Sequence, residues 1–192
     1  AWVYVRLANT GPQNTGGSGM DRLTSIEQVS GSAFGDLLFG NVFGNVIDGG
    51  LDHDRLDGDG GTDSVYGGDG NDSLVGGAGD DRLDGGDGGD TASYATATAG
   101  VNVRLALSGA QNTGGGGTDT LISIEYLTGS ALADTLTGSP GNNTVAGGAG
   151  DDLLKGAAGG DLLQGQSGND TINGGLNNDR LYGGEGNDRF VY

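Results

Sequence analysis

Carboxylates recur in this sequence every nine residues. Asp36, Asp54, Asp63, Asp72, Asp81 and Asp90 form one series, and Asp134, Asp152, Asp161, Asp170, Asp179 and Asp188 form a second. Asn45 and Asn143 stand once in each where the spacing calls for Asp. Acids kept in register suit a hard cation held by oxygen alone, which is the chemistry of Ca²⁺. Mg²⁺ suits it less, because it prefers small octahedral sites that retain water. Zinc needs His or Cys ligands, and one His with no Cys cannot supply a zinc site. Paired acids also serve glycoside hydrolysis. Carboxylates committed to a cation are unavailable as acids, however, and no nucleophile, base and oxyanion donor converge along the chain, so no enzyme is expected.

The composition narrows the partners further. Eight Lys and Arg against 26 Asp and Glu give a net charge of −18, which argues against nucleic acid and anionic membranes and favours cations. No apolar run is long enough to span a membrane, and no signal segment is read at the start. With 45 Gly and 33% hydrophobic residues in 192, an ordinary packed core is not expected. Gly falls short of one third and Pro numbers only two, which excludes collagen. Disorder is the first alternative, and internal repetition overturns it.

From Gly31 to Ser93 the chain divides without a gap into nine-residue units such as GGDGNDSLV (Gly67 to Val75) and GGAGDDRLD (Gly76 to Asp84). A second run extends from Gly129 to Val191 and ends in GGEGNDRFV. All 14 units begin with Gly, carry Asp or Asn at position six, and have an apolar residue at position eight. A longer repeat of 98 residues lies above this one: QNTGGSGMDRLTSIE (Gln13 to Glu27) returns as QNTGGGGTDTLISIE (Gln111 to Glu125). The chain therefore reads as two modules, 1–94 and 99–192, joined by 95–98. Each begins with a cap (1–30, 99–128) and continues into nonapeptide repeats (31–93, 129–191). Both ends fall at equivalent points of the module, which suggests a piece of a longer array; neighbouring modules of the same chain are then expected partners.

These acids need elements to position them. Positions one to six hold Gly where the backbone turns tightly and leaves carbonyl oxygens without ladder partners. Positions seven to nine make a short strand whose central side chain points inward. Two units then complete one turn of a right-handed coil, so loops 18 residues apart stack on one side. Each stacked pair brings two carboxylates and several carbonyls into one all-oxygen cage. In the caps, Val3–Leu7 and Val101–Leu105 alternate like strands, and Gly-rich polar loops follow at Thr15–Gly19 and Thr113–Gly117. Arg22–Ser30 and its partner share the nonapeptide phase, with Glu27 and Glu125 at position six; these two serve either as cap ligands or as ordinary polar residues.

The unit GGxGxDxUx resembles the RTX (repeats-in-toxin, haemolysin-type) calcium-binding nonapeptide. The resemblance covers both repeat runs and implies an all-β, right-handed parallel β-roll. It implies that one loop supplies the carbonyls of positions two and four with its Asp, and that the loop two units later supplies those of positions one and three with its own Asp. Gly68, Gly70 and Asp72 then pair with Gly85, Asp87 and Asp90, and Gly148, Gly150 and Asp152 with Gly165, Ser167 and Asp170. Extended along the first run, the same rule adds carbonyls of Gly49, Gly50, Leu51, Gly58, Gly60 and Gly61, then Gly67, Asp69, Gly76, Gly77, Ala78 and Gly79. In the second run it adds Gly147, Ala149, Gly156, Ala158, Gly159 and Gly168, then Gly174, Leu176, Gly183 and Glu185. About eight to ten Ca²⁺ are expected, whose charge roughly balances the −18 of the chain.

Departures from the pattern weaken particular loops. Asn45 and Asn143 remove a charge, Phe34 and Leu132 replace Gly at position four, and Asp52, Asn177 and His53 sit where the loop needs freedom. The early sites of each run are expected to be weakest or empty. Without calcium, the stacked acids repel and the inward side chains are too few to order the chain, so it is expected to be largely unfolded. The resemblance implies folding outside the cell after type I secretion, as a structural module of a larger secreted or cell-surface protein. The alternative is a calcium-dependent module for extracellular polysaccharide or a surface, as in repeat modules of alginate epimerases. Arg55, Arg82, Arg180 and Arg189 at position seven read as solvated surface divided between two sheets, His53 as a solvated loop residue, and Tyr66 and Tyr182 as edge packing rather than a sugar platform. Trp2 is expected to pack on the cap or against a preceding module.

Overall fold

The computed structural model describes residues 1–16 and 19–192. Gly17 and Ser18, in the first predicted polar loop, lie outside the described residues. The described chain is all β, with short strands and turns and no helix among the described residues. Nine parallel strands make one continuous sheet: Tyr4–Arg6, Leu37–Asn41, Arg55–Asp59, Ser73–Val75, Thr91–Ser93, Tyr126–Thr128, Thr144–Ala149, Leu162–Ser167 and Arg180–Glu185. The opposite face holds Gln28–Ser30, Val46–Leu51, Ser64–Gly70, Arg82–Gly88 and Gly117–Ile122, and then a second sheet of Asn102–Arg104, Thr135–Thr137, Leu153–Lys155, Thr171–Asn173 and Arg189–Phe190. The chain alternates between the faces, so this is a stacked parallel solenoid of about nine turns. Within each run the pairing offset is 18 residues, as in Leu38 opposite Leu56 and Val145 opposite Leu163.

The offset follows from the repeat. Position eight points inward from every strand, and stacking two faces buries it. Twelve of the fourteen position-eight residues are buried, from Leu38 through Ala92 and from Leu136 through Ile172. The last two, Leu181 and Phe190, lie in the final turn and are partly exposed.

Residues 99–128, expected as a cap that closes the core, instead carry it through. Thr91–Ser93 pairs with Tyr126–Thr128, and Arg82–Asp84 pairs with 120–122, both parallel. Val101, Val103, Leu121, Ile124 and Leu127 are buried in the same core as Leu83 and Leu136. The face opposite the nine-stranded sheet absorbs the extra chain. There Gln111–Gly114 folds back antiparallel on Gly117–Ile122, and one bridge, Val101 to Gly114, leads on to Asn102–Arg104. The first copy forms the same antiparallel hairpin, Gln13–Asn14 with Met20–Asp21. Trp2 is largely exposed there.

Candidate metal centre

The position-six acids line the two edges of the solenoid. Asp36, Asp54, Asp72, Asp90, Glu125, Asn143, Asp161 and Asp179 precede strands of the nine-stranded sheet, and Asn45, Asp63, Asp81, Asp134, Asp152, Asp170 and Asp188 precede strands of the other face. Within each run, one carboxylate oxygen closes the backbone. The amide of Asp54 donates to Asp72 Oδ1 at 2.8 Å, and that of Asp72 to Asp90 Oδ1 at 2.8 Å. Asp63 donates to Asp81 Oδ1 at 2.9 Å, and Asp152 to Asp170 Oδ1 at 2.9 Å.

The other oxygen is where the loops differ. Oδ2 of Asp54, Asp63, Asp72, Asp81, Asp90, Asp152, Asp161 and Asp170 is buried and has no hydrogen-bond partner. Each lies close against the first Gly of its own unit, as Asp36 and Asp134 Oδ2 do against Gly31 and Gly129. A methyl group on Gly49 would strike Asp54 Oδ2 and the Gly67 carbonyl, and one on Gly67 would strike Asp72 Oδ2 and the Gly85 carbonyl. Gly58, Gly147, Gly156 and Gly165 repeat this arrangement, with the carbonyls of Gly76, Gly165, Gly174 and Gly183. Among the described residues no three His, Cys, Asp or Glu side chains converge, so any cation here takes much of its coordination from carbonyls. A buried anionic oxygen beside a carbonyl, without a donor, fits a hard cation bound by oxygen. Mg²⁺, which keeps its waters, suits so deeply buried an oxygen less.

The electrostatics agree. Burial with no counter-cation pushes Asp63 and Asp152 up to about 7, and Asp54, Asp81 and Asp90 up to about 6. Asp72, Asp161 and Asp170 shift upward for the same reason. The protein offers little relief of its own: the ion pair Arg82 to Asp84, 2.6 Å, lies at the surface and touches none of these acids.

In the first two units of each run the acid is closed off. The amide of Ser32 donates to Asp36 Oδ2, and the amide of Ser130 donates to Asp134 Oδ2 at 2.6 Å. The Ser130 hydroxyl adds a bond to Asp134 Oδ1 at 2.8 Å. The amides of Asn41 and Ser139 occupy Asn45 Oδ1 and Asn143 Oδ1 at 2.8 and 2.7 Å. The difference originates at position two. In the later five units of each run this residue has positive φ, from 97° at Gly86 to 113° at Gly184 for the glycines, and so do the non-glycines Asp59, Ala157 and Gln166, at 71°, 84° and 78°. Ser32, Asn41, Ser130 and Ser139 do not share it. The left-handed turn directs the position-two amide away from the acid; an ordinary turn aims it at the acid. Asp52 and Asn177, expected to disturb position four, hold φ of 74° and 82° and keep the open turn.

Other residues singled out by sequence fall as follows. Arg55 and Arg180 lie on the nine-stranded sheet, while Arg82 and Arg189 lie on the other face. Arg82 also stacks over Tyr66 at 5.7 Å. Tyr66 and Tyr182 sit on different sheets and share no platform. His53 is exposed, yet its Nδ1 accepts the Asn71 amide at 2.8 Å. Position five in fact runs its own outer ladder: Asn71 Oδ1 accepts from Gly89, Asp151 Oδ1 from Asn169, and Asn169 Oδ1 from Asn187. Glu125 Oε2 accepts the Asp90 amide at 3.0 Å, as an Asp of the next turn would. Sequence reasoning missed Asp119. It is buried and accepts from the Asp81 amide (3.0 Å), Tyr94 hydroxyl (2.9 Å) and Thr113 hydroxyl (2.8 Å). Burial beside Asp119 keeps that Tyr94 hydroxyl protonated. The available signal was the Asp-x-Leu triplet Asp119-Thr120-Leu121, which repeats Asp81-Arg82-Leu83 outside the nine-residue count.

The RTX calcium-binding nonapeptide repeat family matches the chain in four places, residues 30–65, 57–92, 128–163 and 155–190, which together span well over half of it. No curated protein matches the chain.

Proposed function

The chain belongs to the RTX calcium-binding nonapeptide repeat family, and from this premise we propose that it is a folding module whose β-solenoid forms when Ca²⁺ fills its loops. The reading rests on one observation, the row of buried Oδ2 atoms without donors. Six loop pairs have both members in the open turn. Asp54, Asp63 and Asp72 would hold ions in the first run with the carbonyls of Gly67, Gly76 and Gly85. Asp152, Asp161 and Asp170 would do so in the second with those of Gly165, Gly174 and Gly183. Bound calcium supplies the positive charge that these acids lack. The chain's own part is to orient each Oδ1 on the preceding turn, exclude water from Oδ2, and hold the carbonyls in place. The closed loops at Asp36, Asn45, Asp134 and Asn143 contribute packing instead of ligands.

In this reading the module folds in calcium-rich surroundings outside the cell, stays loose where calcium is scarce, and serves a larger secreted or surface protein structurally rather than catalytically. The experiment is a circular dichroism titration with calcium, magnesium and excess chelator, paired with calorimetry. A cooperative gain of β signal with calcium, absent with magnesium, is expected. A full β signal persisting in chelator, or no heat of calcium binding, would overturn the reading.

A further inference from the structure

Where the first run meets the second, one loop is shortened and its acid is lengthened. Asp84 lies opposite Ile122, and Thr91 lies opposite Tyr126. Six residues, Gly85 to Asp90, connect the earlier pair of strands, but only Ser123, Ile124 and Glu125 connect the later pair. Ile124 is buried in the common core and anchors this short turn. The acid that closes it is Glu, where every nine-residue unit carries Asp or Asn. The added methylene lets it reach the turn before: Glu125 Oε2 accepts the Asp90 amide at 3.0 Å, the bond that Asp90 Oδ1 makes with the Asp72 amide.

Two oxygens of neighbouring turns converge beside Gly85. Asp90 is fully buried, and its Oδ2 has no hydrogen-bond partner. A methyl group on Gly85 would strike both this oxygen and the Ser123 carbonyl, so the two flank one point, as Asp72 Oδ2 and the Gly85 carbonyl flank Gly67. Ser123 presents its carbonyl from a φ of 49°, a region that residues with side chains seldom occupy, and Ser25, 98 residues earlier, holds 55°. Gly86 is left-handed at 97°, so the Asp90 loop has the open turn and its position-two amide does not serve Oδ2. The other edge of the join differs. There Asp119 Oδ2 takes the hydroxyls of Tyr94 and Thr113. The three atoms nearest a methyl group on Gly76 all belong to Asp81, with no carbonyl of the next turn among them.

We propose that Asp90 Oδ2, the Ser123 carbonyl and the Glu125 carboxylate hold a further Ca²⁺, beyond those of the six regular loop pairs, and that this ion staples the second run to the first. It rests on the reading that the open loops take calcium. Two carboxylates and a carbonyl are hard oxygen donors, and the tolerance of Ca²⁺ for irregular coordination suits a turn of three residues. Such a turn has fewer carbonyls to give than a regular loop of six, so water completes the shell. Ser123 is exposed and Glu125 partly buried, which leaves that side open to water. With fewer protein ligands the ion binds more weakly than its neighbours and loads last. Neither Ser123 nor Glu125 lies in a matched repeat, since the matches stop at 92 and resume at 128.

The test counts ions on the full chain. Native mass spectrometry in calcium is expected to find one ion fewer on Glu125→Gln than on the unaltered chain. The Gln oxygen still accepts the Asp90 amide, but the charge is gone, and affinity at this site is expected to fall about tenfold or more. Asp119→Asn alters an acid at the same join whose oxygens the protein already satisfies, and is expected to keep the full count. Crystals of the unaltered chain grown with Tb³⁺ in place of Ca²⁺ give a check that needs no variant. An anomalous peak is expected in contact with Asp90 Oδ2, the Ser123 carbonyl and Glu125. An unchanged count on Glu125→Gln, an equal loss on Asp119→Asn, or no peak there in crystals whose regular loops are filled overturns this proposal alone. A folded chain whose regular loops also take no calcium overturns this proposal and the preceding reading together.

Discussion

The first two units of each run and the five that follow share the same acid position and the same 18-residue stacking, yet only among the later ones, at eight acids, is a buried carboxylate oxygen left without a donor. Asp36 and Asp134 are saturated by Ser32 and Ser130 of their own loops, whereas Asp72 and Asp152 keep Oδ2 bare. The residue that decides this is position two rather than the acid itself. A Gly there takes the left-handed turn at no steric cost and swings its amide out; Ser or Asn keeps the ordinary turn and supplies a donor. One kind of loop completes itself, and the other leaves a buried oxygen unsatisfied by the protein.

The sharpest way to break the comparison is to neutralise one acid of each kind. Asp72→Asn is expected to raise the calcium midpoint of folding roughly tenfold or more, since it removes a charged ligand from an open loop. Asp36→Asn is expected to leave that midpoint within about twofold while lowering stability by about 1–2 kcal/mol, because it disturbs only internal hydrogen bonds. Equal shifts in the two calcium titrations would erase the distinction.

Acid offers a second lever. In the metal-free solenoid burial holds Asp54, Asp63, Asp81, Asp90 and Asp152 at about 6 to 7, above the ordinary Asp value. The folded chain thus binds protons that the unfolded chain releases, and the metal-free fold loses stability as pH rises from about 4 through 7. In chelator, β signal at pH 5 is expected to exceed that at pH 8. The calcium midpoint should move the other way and rise on acidification, because protons compete with the ion. A metal-free fold that strengthens with rising pH across this window would show that these acids are paired within the protein.

Converting a closed loop is a smaller and more exact test. Asn143→Asp alone restores the charge but keeps the Ser139 amide on the acid, and is expected to add no ion. Combined with Ser139→Gly it is expected to add one, counted by native mass spectrometry in calcium. An extra ion with the single substitution would assign control to charge instead of the turn. The smallest effect concerns strain. Ala157→Gly or Gln166→Gly relieves a left-handed non-glycine and is expected to stabilise the calcium form by about 0.5–1 kcal/mol, read as a rise in thermal midpoint.

Much of this fold was legible because each unit repeats one local decision. Gly at position one and an apolar residue at position eight recur in phase, and phase alone implies stacking at 18 residues, as Leu38 opposite Leu56 bears out. The edge positions of the acids followed from the same count. What the count hid was orientation: whether an Asp Oδ2 receives the position-two amide or is left without a donor follows the sign of φ at that residue. Ser32 and Asn41 hinted at the closed turn, but Ala157 and Gln166, with no glycine, adopt the open one under the pull of stacking. The join between the two runs was hidden differently. Residues 99–119 fall outside the nine-residue phase, so Asp119 and Tyr94 meet through a fold-back that no periodic reading places side by side.

The Oδ1 bonds all point the same way. In each run the acid of a later turn grips the amide of the turn before it, Asp90 on Asp72 and Asp72 on Asp54. Every rung is thus locked by its successor, so a lost acid loosens the turn before it and spares the turn after it. Amide hydrogen exchange in an Asp72→Ala variant should register that asymmetry, with faster exchange at Asp54 than at Asp90.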